Sequence, residues 1–272
     1  MTRCIYLTVF LLLMFFSQAA EAVKSCPTCA YRLKTGTVEC PKCLRLLEWP
    51  FQPPRERKAR VIIRTGTDAF IRSQHAENRA FKHDRNAGSD LQGAIGSWGG
   101  PTTLRYLVRF DIPMAFSQAG VELKGFKLRR ALLRLKIAGK GNLKGSLPVR
   151  IYPLTRPFKE GSDKSGTRKK FIDGCTWVYA APYMVWHREG GDYNEDISCR
   201  GTLPETGEAV IDVTDIFKER LARIAENEAW YDPGMIIMRD PHAFGDFGYL
   251  EIYSFESRAV HGSVRSPELF IE

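Results

Sequence analysis

Histidine is scarce in this chain, and its few histidines are scattered. Five occur in 272 residues (His75, His83, His187, His242 and His261), and none has the H-E-x-x-H spacing that puts two imidazoles on one helical face for zinc. A G-x-S-x-G elbow, a phosphate loop and a dinucleotide fingerprint are missing too. These absences remove the common metalloprotease, serine-hydrolase and nucleotide-dependent classes. What survives on the enzymatic side is a polysaccharide lyase or hydrolase whose carboxylates are assembled by the fold. Beyond the N-terminus no apolar run is long enough for a spanning helix. There is no internal repeat and no βαβ alternation, which excludes solenoids and parallel α/β sheets. Acid is in deficit: 31 Asp and Glu against 40 Lys and Arg leave a net charge of +9. That balance favours anionic partners.

The N-terminus carries an export signal. Arg3 supplies the positive end, Ile5 to Phe16 form an uncharged apolar run, and Ala20-x-Ala22 is the small-x-small pattern of a cleavage site. The run is shorter than the roughly 20 residues that cross a bilayer. Residues 1–22 are therefore a signal peptide, and the mature chain begins near Val23 with no integral membrane span. Arg3 and Glu21 leave together, so the charge is unchanged. The expected location is secreted, periplasmic or cell-surface, where polysaccharide is a more fitting anion than nucleic acid.

Residues 23–48 hold a cysteine knuckle, Cys26-Pro-Thr-Cys29 and Cys40-Pro-Lys-Cys43, with spacing C-x2-C-x10-C-x2-C. Two such turns can converge four thiolates on one zinc ion, as in a short zinc ribbon. The alternatives are two disulfides, usual in an oxidising compartment, or a redox pair, although no thioredoxin-like pattern surrounds them. In each case the piece is too small to hold a core without its cross-link, and a protein partner through the knuckle belongs to the structural or adhesion alternative. Cys175 and Cys199 form either a disulfide or two small buried residues. Residues 49–60, with Pro50, Pro53 and Pro54 among arginines, read as a stiff, solvated linker.

From residue 61 to 272 the pattern is mostly strand. Leu104, Tyr106, Val108, Phe110 and Ile112 alternate with Arg105, Arg109 and Asp111. Ala131, Leu133, Leu135 and Ile137 alternate with Arg130, Arg134 and Lys136. Period-2 alternation marks sheets with one buried face. Further strands are expected at 61–64, 68–72, 148–154, 209–213, 234–239, 248–256 and 267–271. One helix is expected at 212–224, with Thr214 as N-cap and Ile216, Phe217, Leu221 and Ile224 as its apolar stripe. The fold class is all-β: an antiparallel two-sheet jelly-roll sandwich with one short helix, preceded by the knuckle.

Several of these strings resemble DNRLRE domains, a family of carbohydrate-binding modules. Thr67-Asp-Ala-Phe-Ile-Arg72 is similar to the family's "DAYIR" strand, and Arg105-Tyr-Leu-Val-Arg-Phe-Asp-Ile112 to "R-x-LLRFDL". Arg130-Ala-Leu-Leu-Arg-Leu135 resembles "SAxLRL". Val149 to Gly161 resembles "VxVYxVTxxWxEG", with Phe158 in place of the Trp. Cys175-Thr-Trp177, Ile211-Asp-Val-Thr-Asp-Ile216 and the closing Ser257-Arg258 with Arg265 to Leu269 complete the series. The resemblance covers about 60–272 and implies a secreted, usually non-catalytic jelly roll that binds glycan in some relatives. The long insert around 73–100, with its Gly-rich Gly93–Gly100 stretch, and the basic 162–172 loop, with Lys164, Arg168, Lys169 and Lys170, depart from it.

Candidate binding groups fall into three sets. Arg105, Arg109, Arg130, Arg134 and Lys136 form a cationic face if their strands adjoin, and guanidinium groups grip carboxylate or sulfate bidentately. Trp177, Tyr179, Tyr183 and Trp186 offer flat rings on which sugar C–H faces stack, unless they are core. Asp192, Asn194 and Asp196 present oxygens at alternate positions, the start of a calcium loop, although Leu203 sits where the closing acid belongs. The expected function is non-catalytic recognition of an acidic polysaccharide, with a structural or adhesion role at the cell surface as the alternative.

Overall fold

The computed structural model describes residues 60–64, 66–73, 88–98, 102–162, 173–226, 232–242, 248–261 and 265–272. All of them belong to the unit Ala59–Glu272. The signal peptide, the four knuckle cysteines Cys26, Cys29, Cys40 and Cys43, the linker up to residue 59 and the basic loop at 164–170 lie outside the described residues.

The strands are β1 (Val61–Ile63), β2 (Gly66–Arg72), β3 (Gln92–Ser97), β4 (Thr103–Phe110), β5 (Ala131–Gly141), β6 (Leu147–Pro153), β7 (Tyr179–Ala181), β8 (Met184–Val185), β9 (Cys199–Leu203), β10 (Glu208–Asp212), β11 (Met235–Arg239), β12 (Tyr249–Tyr253) and β13 (Glu268–Ile271). The helices are α1 (Ile112–Gln118), α2 (Thr214–Glu226) and α3 (Ser257–His261). No helix among the described residues is long and apolar enough to cross a membrane.

Eleven strands form one curled antiparallel sheet in the order β1-β13-β5-β12-β3-β4-β11-β6-β9, with β10 added to β5 and β2 to β4. β7 and β8 make a separate hairpin. β5 is the strand that turns the corner. Its first half pairs with β13 and β10, and from Ile137 onwards it pairs with β12 across a bulge at Glu251 and Ile252. A bulge adds local twist and bends the strand. Residues on both halves therefore face one core, in which Leu133, Leu135 and Ile271 share a cluster with Tyr106, Val108, Ile237 and Ile252.

The expected alternations on β4 and β5 are present, and so is the stripe of α2. Thr214, however, opens the helix rather than capping it. Its N–H donates to Asp212 Oδ1 at 3.0 Å, and its own Oγ1 accepts Ala131 N–H at 2.9 Å, tying the helix start to β5. Ile112 likewise begins α1 instead of ending β4. Asp111 accepts Met114 N–H at the helix start and Pro113 lies in the first turn, a favourable start for a short helix.

A second apolar cluster lies on the other face of the sheet. Leu107 of β4, Ile236 and Met238 of β11 and Ala69 and Ile71 of β2 are covered by Leu154, Phe158, Cys175, Ala180 and Trp186. Buried from both sides, Met235-Ile-Ile-Met238 is a continuous apolar run without alternation.

Candidate functional site

The roof over that second face decides the fate of most expected site residues. Arg105 points into it rather than into solvent. Its guanidinium carbon lies 4.7 Å from the Trp177 ring centroid and 5.9 Å from that of Tyr193, and Nη1 donates to Gly190 O at 2.7 Å. Gly190 is required there, because a Cβ would sit 2.7 Å from both Arg105 Nη1 and the Trp177 ring, at φ +85°. Arg109 lies 5.7 Å from the Phe158 ring. Burial holds both guanidiniums below their ordinary pKa. These two arginines are props between sheet and roof.

The cations of β5 sit on a different part of the sheet. Arg130 Nε is 3.4 Å from Asp212. Arg134 bonds Glu268 at 2.9 Å, approaches Glu208 at 4.0 Å and lies over Phe270 at 4.4 Å. Lys136 is half-buried beside it. The expected five-residue cationic face is thus divided, because β4 pairs with β2 and β11 while this half of β5 pairs with β13 and β10.

The aromatic set is divided as well. Trp186 is 3% exposed and donates Nε1–H to Thr176 O at 2.9 Å, and Trp177 and Tyr179 are half-buried. Only Tyr183, at the tip of the β7–β8 hairpin with φ 63°, is open, at 94% exposure. Asp192 is buried and accepts N–H from His187 at 3.0 Å and Arg188 at 2.8 Å, with Arg156 at 3.2 Å. Asn194 accepts Asp196 N–H at 3.0 Å. Two of the three expected ligands in 192–196, Asp192 and Asn194, thus serve as turn braces. Cys175 and Cys199 are free thiols, both buried, one in each apolar cluster, so the optional disulfide between them is not formed.

Two sites emerge that the sequence reading did not single out. The first is an open groove of about 470 Å³ on the unroofed stretch of the sheet, lined by Phe70, Gln92, Trp98, Leu104, Tyr249 and Glu251 among others. Trp98 is 56% exposed, its ring 5.8 Å from that of Tyr249, and Arg72 lies 5.3 Å from Trp98. Tyr249 pairs across the sheet with Gly96 and Gly141, and Glu251 with Ala94 and Gly139. A Cβ at Gly141 would run into the Tyr249 ring, and one at Gly139 would lie 2.6 Å from Glu251 Oε2. These glycines let the Tyr249 and Glu251 side chains lie flat on the floor.

The second is an acidic cluster beside it. Asp68 of β2, Glu160 after β6 and Glu256 before α3 bring carboxylate oxygens within 4.8 Å of one another, the one such group among the described residues. Asp68 Oδ2 accepts Phe255 N–H at 2.7 Å, and Glu160 Oε1 accepts Asp68 N–H at 3.0 Å. Burial, reinforced by the charge on Glu256, holds Asp68 well above the usual carboxylate range. Burial likewise pushes Glu160 up to about 8, with Asp68 N–H opposing and Glu256 adding to the rise.

The sequence held signals for both sites. The Gly-rich stretch at 93–96 marks the groove floor. Asp68 and Glu160 stand inside the "DAFIR" and "FKEG" strings as acids in otherwise apolar or turn contexts. No family model matches the chain, and no curated protein matches it either.

Proposed function

We propose that this chain is an exported, non-catalytic recognition protein that binds polysaccharide in the groove between Trp98 and Tyr249. The observation carrying this reading is the open Trp98 ring, packed against the half-buried Tyr249 ring on a glycine-cleared sheet face beside hydrogen-bonding side chains. Aromatic rings supply large contact area at small entropic cost. Gln92 and Glu251 offer partners for sugar hydroxyls, and Arg72, stacked over Trp98, adds positive charge beside them. The net charge of +9 adds long-range attraction for anionic chains.

The finer parts of the reading belong to the same proposal. The curled sheet with a shared core agrees with a jelly-roll sandwich of the DNRLRE kind, whose quoted strings fall on β2, β4, β5, β6, β10 and β13. The four knuckle cysteines hold zinc ahead of it. Absence of a catalytic signature in the sequence supports recognition over lyase or hydrolase chemistry. An adhesion role has one observation in its favour: the hairpin tip exposes Tyr183, Met184 and Val185 together, an apolar point suited to a protein partner.

The test is binding of the mature chain to a polysaccharide array, followed by titration of Trp98→Ala and Tyr249→Ala. Each truncation should weaken binding about 5- to 30-fold, the effect of losing roughly 1–2 kcal/mol of ring contact. Unchanged affinity in both variants, or no binding to any polymer, rejects the groove.

A further inference from the structure

The charge of the groove between Trp98 and Tyr249 bears on which sugars it selects, a step that rests on the polysaccharide reading above. Asp90 and Glu251 are the two charged residues of the described lining, and no Lys, Arg or His stands with them there. Arg72 lies over the Trp98 ring, outside that lining. Most of the net charge of +9 belongs to other segments: nine Lys and Arg against four Glu precede residue 59, and four against one Asp fall within 163–172. Such charge steers an anion towards the molecule, whereas discrimination is set by the groups that meet the ligand.

Glu251 differs from the other acids of this sheet. Glu268 and Glu208 meet Arg134, and Asp212 meets Arg130. Glu251 is half-buried, yet it forms no hydrogen bond or ion pair with any described residue. The register gives the reason. Its cross-strand neighbours are Ala94 of β3 and Gly139 of β5, so no cation stands opposite it. Gly139 also leaves the room that the carboxylate occupies, since a Cβ there would lie 2.6 Å from Glu251 Oε2. Tyr249 and Glu251, two residues apart on β12, share one face. Burial, with the Glu251 charge adding to it, raises the Tyr249 hydroxyl above its ordinary pKa. The groove thus holds an acceptor whose lone pairs are unclaimed, beside two rings.

We propose that the groove takes uncharged polysaccharide and that Glu251 is its specificity-determining residue. An ionised carboxylate only accepts hydrogen bonds, a sugar hydroxyl donates them, and the charge makes such a bond about twice as strong as a neutral one. A uronate or sulfated sugar brings a further negative charge against Glu251 and Asp90, with no cation of the described lining to offset it. An uncharged sugar avoids that repulsion: its C–H face suits Trp98, and its hydroxyls suit Glu251 and Gln92. Arg72 beside Trp98 and the positive balance of the chain weigh against a cationic amino sugar.

The experiment measures the affinity of the mature chain, at about 0.15 M salt, for uncharged polymers (glucan, mannan and galactan), for polygalacturonate and for chitosan. At least one uncharged polymer should bind, and Trp98→Ala should weaken it. Glu251→Gln keeps the shape and removes the charge. It should weaken that polymer about tenfold and raise the affinity for polygalacturonate, opposite shifts that a folding lesion does not produce. Gly139→Ala, whose Cβ would meet the Glu251 side chain first, is the second variant. It displaces the carboxylate with its charge retained, and should weaken the uncharged polymer without favouring polygalacturonate. Trp98-dependent binding of polygalacturonate or chitosan ahead of every uncharged polymer would overturn this inference and leave the groove reading standing. Unchanged affinity of Glu251→Gln for the uncharged polymer would do the same. Binding indifferent to Trp98→Ala, or no binding at all, would overturn both.

Discussion

Glu268 is the most heavily invested carboxylate of the sheet, and replacing it with Gln gives a sharp test of how the two halves of β5 are held. Its side chain is 4% exposed and lies between Arg64 Nε at 2.5 Å and Arg134 Nη1 at 2.9 Å. Arg134 is also its direct cross-strand neighbour in the β13–β5 register. Breaking a buried ion pair by removing one partner costs about 3–5 kcal/mol, because the remaining charge loses its compensation. Here the two arginines keep 44% and 31% exposure, so water recovers part of that loss and about 2–3 kcal/mol is expected. For a domain of this length that is a fall of about 5–10 °C in the unfolding midpoint. Circular dichroism melts of the mature chain would measure it, at low and high salt. Most of the effect should persist at high salt, since a buried pair is weakly screened. A double-mutant cycle with Arg134→Gln should return a coupling of about 1–2 kcal/mol. A midpoint change under about 2 °C with zero coupling would refute the assignment of this pair as a clamp.

Two further outcomes are expected. The chain should lose stability as pH rises from about 5 to 8.5. The Glu160 carboxyl lies at about 8 in the fold against an ordinary value of 4.5, so its contribution is complete below the lower value and lost through the higher. The full difference would be about 5 kcal/mol, reduced to roughly 2 because the group is partly exposed; a flat profile from denaturant titrations would contradict it. Cys175 should resist alkylation in the folded chain, since it is fully buried and burial pushes its thiol far up. Mass spectrometry of its peptide after iodoacetamide should show labelling only in denaturant, and rapid native labelling would place it outside the core.

How far the sequence could be read is clearest on β4. Alternation separated Tyr106, Val108 and Phe110 from Arg105 and Arg109 correctly, and the core face followed. What alternation cannot state is which of two faces is wet. Leu107 stands between the two arginines and is completely buried, an apolar residue on the face assumed to be solvated. That was the local sign of a roof. Arginine conceals it well, because its planar head stacks on a ring and its stem packs as hydrocarbon. The segment 176–186, rich in rings, then reads equally as platform or cover, and only the path of the chain over the sheet decides for cover. The α1 helix was hidden for a different reason: at seven residues it is too short for a 3.6-residue period to show.

The roof also explains why the open site lies where it does. Leu154, Phe158 and residues between Cys175 and Tyr193 cover β2, β4, β6 and β11, while β3, β12 and the far half of β5 have glycines and flat side chains instead. The acidic cluster stands at the seam between these two regions. Asp68 and Phe70 share one face of β2, two residues apart, and Phe70 lines the groove. Beside Glu256, Ser254 Oγ donates to Asp90 O at 2.7 Å and Ser254 N–H to Leu91 O at 3.2 Å, and both acceptor residues belong to the groove wall. Glu256 therefore stands on the turn from which that wall hangs. The acidic cluster and the groove are thus joined through one turn, Ser254 to Glu256, that braces the groove wall on one side and carries a carboxylate of the cluster on the other.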